Sequence, residues 1–261
     1  MLELSLPYLA EETIEEFIKS FLKGKKAVIG ISGGIDSALV TMLTSKSIDS
    51  KNIIAIHLPE SESNPQDEKD ARMLCEMLKI DLRIIKLDPF IQEFKNIYND
   101  KIVLGNIKAR MRMVILYSIA NSENALVVGS SNKTELLTGY FTKYGDGAAD
   151  IYPIGDLYKT QVRLLAKHMD LPKVFIEKVP TAGLWKGQTD ENELGIKYDL
   201  LDRILYGIEQ FMDDSQISNM LDIDIATIKS IRERVEKTKH KRVLLYIPKI
   251  GIRTVGLDFR E

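Results

Sequence analysis

One cysteine, one tryptophan and three histidines are all that the 261 residues contain of those types. With Cys75 alone, the chain can form no intrachain disulfide, no Cys-x-x-Cys redox pair and no cysteine zinc cage. His57, His168 and His240 are too few for a His-rich metal site. No run of about 18 apolar residues occurs, so no membrane-spanning helix is expected. Neither sign of charge dominates: Lys plus Arg is 36, Asp plus Glu is 38, and the net charge is −2. A strongly basic nucleic-acid binder is thereby excluded as the default. The segment MLELSLPYLAEETIEEF is acidic where a signal peptide is basic and has no clean apolar core. The expectation is a protein of the reducing cytoplasm, binding neither membrane nor nucleic acid.

What is present is an alternation. Ile14, Phe17, Ile18 and Phe21 fall at i, i+3, i+4 and i+7, which predicts a helix over Glu11–Lys23 that Gly24 stops. Short apolar runs at Lys26–Ile31, Ile53–Leu58, Leu82–Leu87 and Ala125–Ser130 predict strands. Between them lie helical stretches at Ala38–Ile48, after Asn64-Pro65, and from about Asn106 to Asn121. Cys75 falls on an apolar stripe with Ala71, Leu74 and Leu78, which reads as a buried structural thiol. Such spacing predicts an α/β fold, a doubly wound Rossmann-like parallel sheet covered on both faces. The last hundred residues read as a helical C-terminal extension, with helices at Tyr158–Met169, Glu193–Glu209 and Ile225–Lys239. No repeat divides the chain, so residues 1–261 are expected to form a single domain.

The strongest local signal is Gly30-Ile31-Ser32-Gly33-Gly34-Ile35-Asp36-Ser37, between a predicted strand and a helix. This is where a doubly wound fold binds phosphate. Two adjacent glycines let backbone N–H groups approach phosphate oxygens, and Ser32 and Ser37 add hydroxyls. Asp36 is an anion beside an anion, so a bridging divalent cation is the natural reading. The loop lacks the lysine of a Walker A motif and the spacing of a dinucleotide fingerprint. Ser-Gly-Gly-x-Asp-Ser resembles instead the PP-loop of ATP pyrophosphatases, which cleave ATP between the α and β phosphates and adenylate a substrate.

A second segment, GSSNKTELLTGYFTKYGDGAAD (Gly129–Asp150), resembles the signature of ammonia-dependent NAD synthetases. GNIKARMRM (Gly105–Met113), KVPTAGL (Lys178–Leu184) and KTKHKR (Lys237–Arg242) match that family in order. The resemblance implies a ligase that forms a C–N bond. The carboxylate of nicotinic acid adenine dinucleotide (deamido-NAD) attacks the α-phosphorus of ATP, and ammonia then displaces AMP from the acyl-adenylate. It implies roles for particular residues. Gly30 to Ser37, Ser130, Lys159 and Thr181 would bind ATP, with Asp36 and Lys159 catalytic. Asp36 and Glu135 would hold Mg²⁺. Arg110, Lys143, Asp150, His240 and Lys241 would bind deamido-NAD. Asp146 is expected near the entry of ammonia, where a carboxylate attracts ammonium and accepts a proton. TAGLWKGQTDENELG (Thr181–Gly195) resembles the family's mobile loop, with Trp185 departing from its pattern. A homodimer is implied, and no built-in glutaminase is expected.

Taken by themselves, several of these residues read more plainly. Arg110 would be one charge on a solvated helix face with Lys108 and Arg112, Glu135 a solvated carboxylate, and Lys159 a surface residue. The alternatives are another PP-loop adenylating enzyme, tRNA-modifying or GMP synthetase-like, and a non-catalytic ATP-binding module.

Overall fold

The computed structural model describes residues 2–185, 187–243 and 246–255. The apolar runs become the sheet. Strands β1 (Lys26–Gly30), β2 (Ile53–His57), β3 (Leu82–Ile84) and β4 (Ala125–Val128) lie parallel in the order β3-β2-β1-β4. Ala27 pairs with Ile53 on one side and with Leu126 on the other.

Around the sheet, in chain order, are α1 (Ala10–Leu22), α2 (Ile35–Ser47), α3 (Pro65–Leu78), α4 (Asp88–Ile97), α5 (Lys101–Glu123), α6 (Lys133–Thr138) and α7 (Lys159–His168). They are followed by α8 (Lys173–Ile176), α9 (Asp190–Leu194), α10 (Tyr198–Glu209), α11 (Asp214–Leu221), α12 (Ile225–Lys237) and α13 (Lys239–Arg242).

Both faces of the sheet are covered. Alternate residues of a strand point to opposite sides, so Ala27 and Ile29 join a core with Ile18, Leu39, Leu43, Leu74 and Leu165. Val28, Ile54 and Ile56 join a second core with Leu87, Ile91, Ile115 and Ala120. This two-sided burial is why the strands read as unbroken apolar runs. A third core, around Tyr198, Leu201, Ile204, Ile217 and Ile228, belongs to the helical C-terminal part. Among the described residues no helix is long and apolar enough to cross a membrane.

Boundaries differ from the sequence reading where caps decide them. Helix α5 begins at Lys101, before Asn106, because the Asp100 side chain accepts from the N–H groups of Ile102 and Val103. Helix α4 is an addition. It opens on Asp88-Pro89, a favoured helix start, and carries Phe90, Phe94 and Ile97 at i, i+4 and i+7, although only Ile91 is fully buried. Strand β3 is half the predicted length, although Ile85 and Leu87 still donate to the His57 and Pro59 carbonyls. Cys75 is buried on α3 as expected, and burial, then Asp81, pushes its thiol up to about 12. A thiol that stays protonated at neutral pH is a poor nucleophile.

Candidate active site

The phosphate loop joins the end of β1 to the start of α2, and the helix begins three residues earlier than its apolar pattern, at Ile35. Asp36 and Ser37 therefore lie in the first helical turn, where backbone N–H groups lack helical partners. The Oγ atoms of Ser32 and Ser37 are 3.0 Å apart, and Gly34 N–H donates to Ser32 Oγ at 3.2 Å. Gly33 has φ +82°, and a Cβ there would lie 2.8 Å from the Asp67 carbonyl oxygen. Only glycine satisfies both the angle and the space. Lys178 fastens the loop from the far side. Its ammonium donates to the Gly33 carbonyl at 2.8 Å and to Asp67 and Asp70, each at 2.7 Å.

Beside the loop, two carboxylates converge on one ammonium. Lys159 Nζ lies 2.5 Å from Asp36 Oδ2 and 3.5 Å from Glu135 Oε1, and the lysine is 2% exposed. Asn132 sets both acids. Its Nδ2 donates to Asp36 Oδ1 at 2.9 Å, while its backbone N–H donates to Glu135 Oε2 at 3.2 Å in a capping box at the start of α6.

Lys159 opens α7 and is held from behind. Its N–H donates to Thr134 Oγ1 at 2.9 Å, and that hydroxyl donates to Asp202 Oδ1 at 2.6 Å. The fully buried Asp202 also accepts from Thr160 N–H at 2.7 Å. The Lys159 ammonium lies 5.3 Å from the Tyr198 ring centroid, and Tyr198 Oη donates to Asp190 at 3.0 Å.

Electrostatics follow from this crowding. Burial, then the Asp36 carboxylate, raises the Glu135 carboxyl, against the pull of Lys159. Burial opposes charge on Lys159, but Asp36 and Glu135 override it and hold the ammonium protonated. Among the described residues no cluster of three or more His, Cys, Asp or Glu side chains could hold a metal by itself. Two hard carboxylates beside a phosphate loop fit Mg²⁺, which uses one or two carboxylates and takes its other ligands from phosphates and water.

The residues expected to bind the dinucleotide form a second group around Gly139–Asp150. Arg110 Nε donates to the Lys143 carbonyl at 3.3 Å, and the Lys143 ammonium lies 5.2 Å from the Tyr144 ring centroid. Lys241 Nζ donates to the carbonyls of Gly139 at 2.7 Å and Phe141 at 2.8 Å, and the neighbouring His240 is exposed. Asp146 reaches solvent but is crowded by protein. That desolvation raises its carboxyl even though it accepts from Thr142 N–H at 2.9 Å. Asp150 accepts from Val127 N–H at 2.7 Å at the open edge of β4, next to a single parallel bridge between Val128 and Ile151. Ser130 follows β4, half-buried. Thr181 is exposed and accepts from Gly183 N–H, so its own loop holds it.

Two plain readings are corrected. Lys159 is no surface residue, because Asp36 and Glu135 compensate its charge inside the protein. Arg110 is exposed on α5, as its plain reading has it, but Lys108 and Arg112 are not solvated charges beside it. Lys108 is 4% exposed and pairs with Glu60 at 2.8 Å, while Arg112 donates to the Leu58 carbonyl. Asn132, Asp190, Asp202 and Lys178 were not singled out from sequence. Of these, only Asn132 left a signal, the Asn-x-x-Glu spacing of a capping box.

The profile of the NAD synthase family matches residues 10–244. The ammonia-dependent NAD synthetase of Thermococcus kodakarensis is 44% identical over 242 residues, 90% of this chain and 94% of its own. That of Thermoplasma acidophilum is 43% identical over 92% of this chain and 97% of its own. The solved NMN synthetase of Francisella tularensis superposes with a TM-score of 0.81 at 33% identity, over 95% of this chain and all of the other. The solved ammonia-dependent NAD synthetase of Campylobacter jejuni gives 0.77 at 32% identity, over 92% and 97% of the two chains.

Proposed function

Because this chain belongs to the NAD synthase family, we infer that it amidates nicotinic acid adenine dinucleotide with ammonia, through an acyl-adenylate, at the expense of ATP. The observation that carries the reading is the meeting of Asp36, Glu135 and Lys159 beside the helix-capping phosphate loop.

A carboxylate is a poor acyl electrophile, since its leaving group would be oxide. Adenylation replaces oxide by AMP. The substrate carboxylate attacks the α-phosphorus, the bond to the β-phosphate oxygen breaks, and pyrophosphate leaves. Ammonia then attacks the acyl carbon, the bond to AMP breaks, and one proton must depart from nitrogen.

Each residue group has work in this scheme. Gly30, Ile31, Ser32, Gly33, Gly34, Ile35, Asp36 and Ser37 offer N–H groups and hydroxyls to the phosphates. Ser130 and Thr181 add hydroxyls. Lys159 is placed to neutralise negative charge that grows on the phosphates. Asp36 and Glu135 would hold Mg²⁺, which when bound screens the triphosphate and the leaving pyrophosphate. Arg110, Lys143, His240 and Lys241 supply positive charge for the acceptor's phosphates and carboxylate, and Asp150 a hydrogen-bond acceptor. Asp146 stands where a solvent-reached carboxyl can draw in ammonium.

Free ammonia is the nitrogen donor in this reading. Cys75 is buried and protonated, so it cannot serve as a glutaminase nucleophile. Residues 1–261 act as one synthetase domain. The exposed Ile102, Val103 and Val114 of α5 favour a homodimer, since a second copy would cover them. The single, free, buried thiol suits the reducing cytoplasm.

The test supplies ATP, Mg²⁺ and deamido-NAD with either ammonium or glutamine, and measures pyrophosphate and NAD. NAD from ammonium and none from glutamine is the expected result. Because one solved relative is an NMN synthetase, nicotinate mononucleotide is run in parallel, and its preferential amidation would move the acceptor. Pyrophosphate release only with tRNA or another acceptor would assign a different PP-loop branch. ATP binding without turnover would leave a regulatory module.

A further inference from the structure

Carbonyls of the phosphate loop are taken by side-chain donors. His57, buried at the end of β2, places Nδ1 2.7 Å from the Ile31 carbonyl. A carbonyl only accepts, so Nδ1 carries the proton. Lys178 Nζ donates to the Gly33 carbonyl at 2.8 Å, and Ser37 Oγ donates to the Gly34 carbonyl at 3.1 Å. A carbonyl oxygen carries partial negative charge and repels phosphate, so a loop that binds anions must keep these oxygens engaged elsewhere.

In a planar trans peptide, the carbonyl of one residue and the N–H of the next point in opposite directions. Holding the Ile31 carbonyl therefore aims the Ser32 N–H, which donates to Ser37 Oγ at 3.3 Å. Holding the Gly33 carbonyl aims the Gly34 N–H, which donates to Ser32 Oγ at 3.2 Å. The two hydroxyls lie 3.0 Å from one another. Each hydroxyl offered to phosphate is thus set by a peptide whose other end is held from outside the loop.

Lys178 invites a different reading, as the phosphate lysine that the loop itself lacks. Its donors are already spent, however. An ammonium has three protons. The Gly33 carbonyl, Asp67 Oδ1 and Asp70 Oδ2 accept them at 2.8, 2.7 and 2.7 Å. Two carboxylates around one ammonium leave the group net negative, which does not draw phosphate in. Burial opposes the charge on Lys178, and its hydrogen bonds to Asp67 and Asp70 override that. The Asp70 side chain is 2% exposed, and its Oδ1 accepts from Gln66 Nε2 at 2.8 Å on the same helix. Lys178 is therefore a strut that runs from the first turns of α3 to the loop.

We propose that Lys178 and His57 are positioning residues for ATP: they hold the peptides that aim the Ser32 and Ser37 hydroxyls, and Asp70 anchors Lys178. This rests on the ATP-binding part of the amidation reading above.

The experiment uses the full-length chain and its variants. It measures the Kd for ATP with Mg²⁺ by calorimetry, then kcat and the KM values for ATP and deamido-NAD. Lys178→Met is expected to raise both the Kd and the KM for ATP at least about 10-fold, the size of a lost charged hydrogen bond. The KM for deamido-NAD should stay at the parental value. Asp70→Asn separates a strut from a phosphate ligand, because it sets an amide donor against Lys178 or Gln66. A strut without its anchor binds ATP more weakly. A phosphate lysine freed of a counter-charge binds ATP more tightly, and that result would overturn the proposal. His57→Phe removes the other donor and should also raise the Kd. His57→Asn returns an N–H near the place of Nδ1 and should recover most of that loss. Should Lys178→Met fail to fold around an unpaired Asp70, combining it with Asp70→Asn removes the stranded charge, and the raised Kd should remain. Folded variants with the parental Kd for ATP would overturn the positioning role. A parent chain that binds ATP yet makes no NAD would overturn the amidation reading instead, while the Kd comparison still judges Lys178 and His57.

Discussion

Lys159 and Asp36 are 123 residues apart in the chain and 2.5 Å apart in space, with Glu135 on the other side of the same ammonium. The one ammonium balances one carboxylate, and burial together with Asp36 raises the Glu135 carboxyl toward its neutral form. Lys159→Met leaves two close carboxylates without their cation, which in buried settings costs about 3 kcal/mol. The expected outcome is a lower melting temperature together with loss of pyrophosphate release by about 100-fold or more. Adding Asp36→Asn should return much of the stability and none of the activity. If the double variant is no more stable than Lys159→Met, the charge triad does not hold this part of the fold.

Asp202 reaches the chemistry only through Lys159. It takes the Thr134 hydroxyl and the Thr160 N–H at the start of α7, fully out of water. Asp202→Asn turns one acceptor into a donor that faces a donor, a mismatch worth about 1–3 kcal/mol. A fall in kcat is expected with the KM for deamido-NAD little changed. A rise in that KM with kcat intact would place Asp202 in acceptor binding.

Gly33→Ala tests the loop's geometry. The new Cβ would meet the Asp67 backbone at 2.8 Å in a left-handed conformation, and such strain costs about 1–3 kcal/mol before any clash. The variant should melt earlier and show a raised KM for ATP, with the ammonia dependence unaltered. A variant with parental ATP affinity would show that the loop can relax without cost.

Asp146 carries the prediction for the second substrate. Crowding by protein raises its carboxyl although it reaches solvent, so on acidification it protonates sooner than an ordinary aspartate and, in the proposed role, would lose the charge that draws in ammonium. Apparent ammonia affinity should fall at a higher pH than an unshifted carboxyl would allow. Asp146→Asn should weaken that affinity by about 10-fold at neutral pH and flatten this part of the pH profile. An unchanged ammonia affinity in Asp146→Asn would remove the residue from the nitrogen path.

The sheet and phosphate loop were legible because their signals are local. Lys26–Gly30 and Ile53–His57 are unbroken apolar runs, and Ser32 to Ser37 sits between strand and helix. What could not be read is pairing across the chain. Glu60 and Lys108 look like two surface charges until the fold buries them together. Asp202 lies among apolar neighbours on α10 and announces nothing of Thr134 or Thr160. Helices α4 and α11 go unread although each carries an apolar stripe, Phe90, Phe94 and Ile97 on α4 and Ile217, Met220 and Leu221 on α11; both are short, and each buries a single residue fully, Ile91 and Ile217.

The open side of β4 has one further consequence. A strand with unpaired N–H groups at a sheet margin invites the wrong chain to add itself there. Asp150 occupies Val127 N–H with a side chain, and the Ile151 carbonyl takes Gly129 N–H. The acid proposed for acceptor binding thus also occupies a donor that another strand could otherwise take. Asp150→Ala should therefore lower soluble yield as well as turnover, and its activity is meaningful only when measured per folded monodisperse molecule.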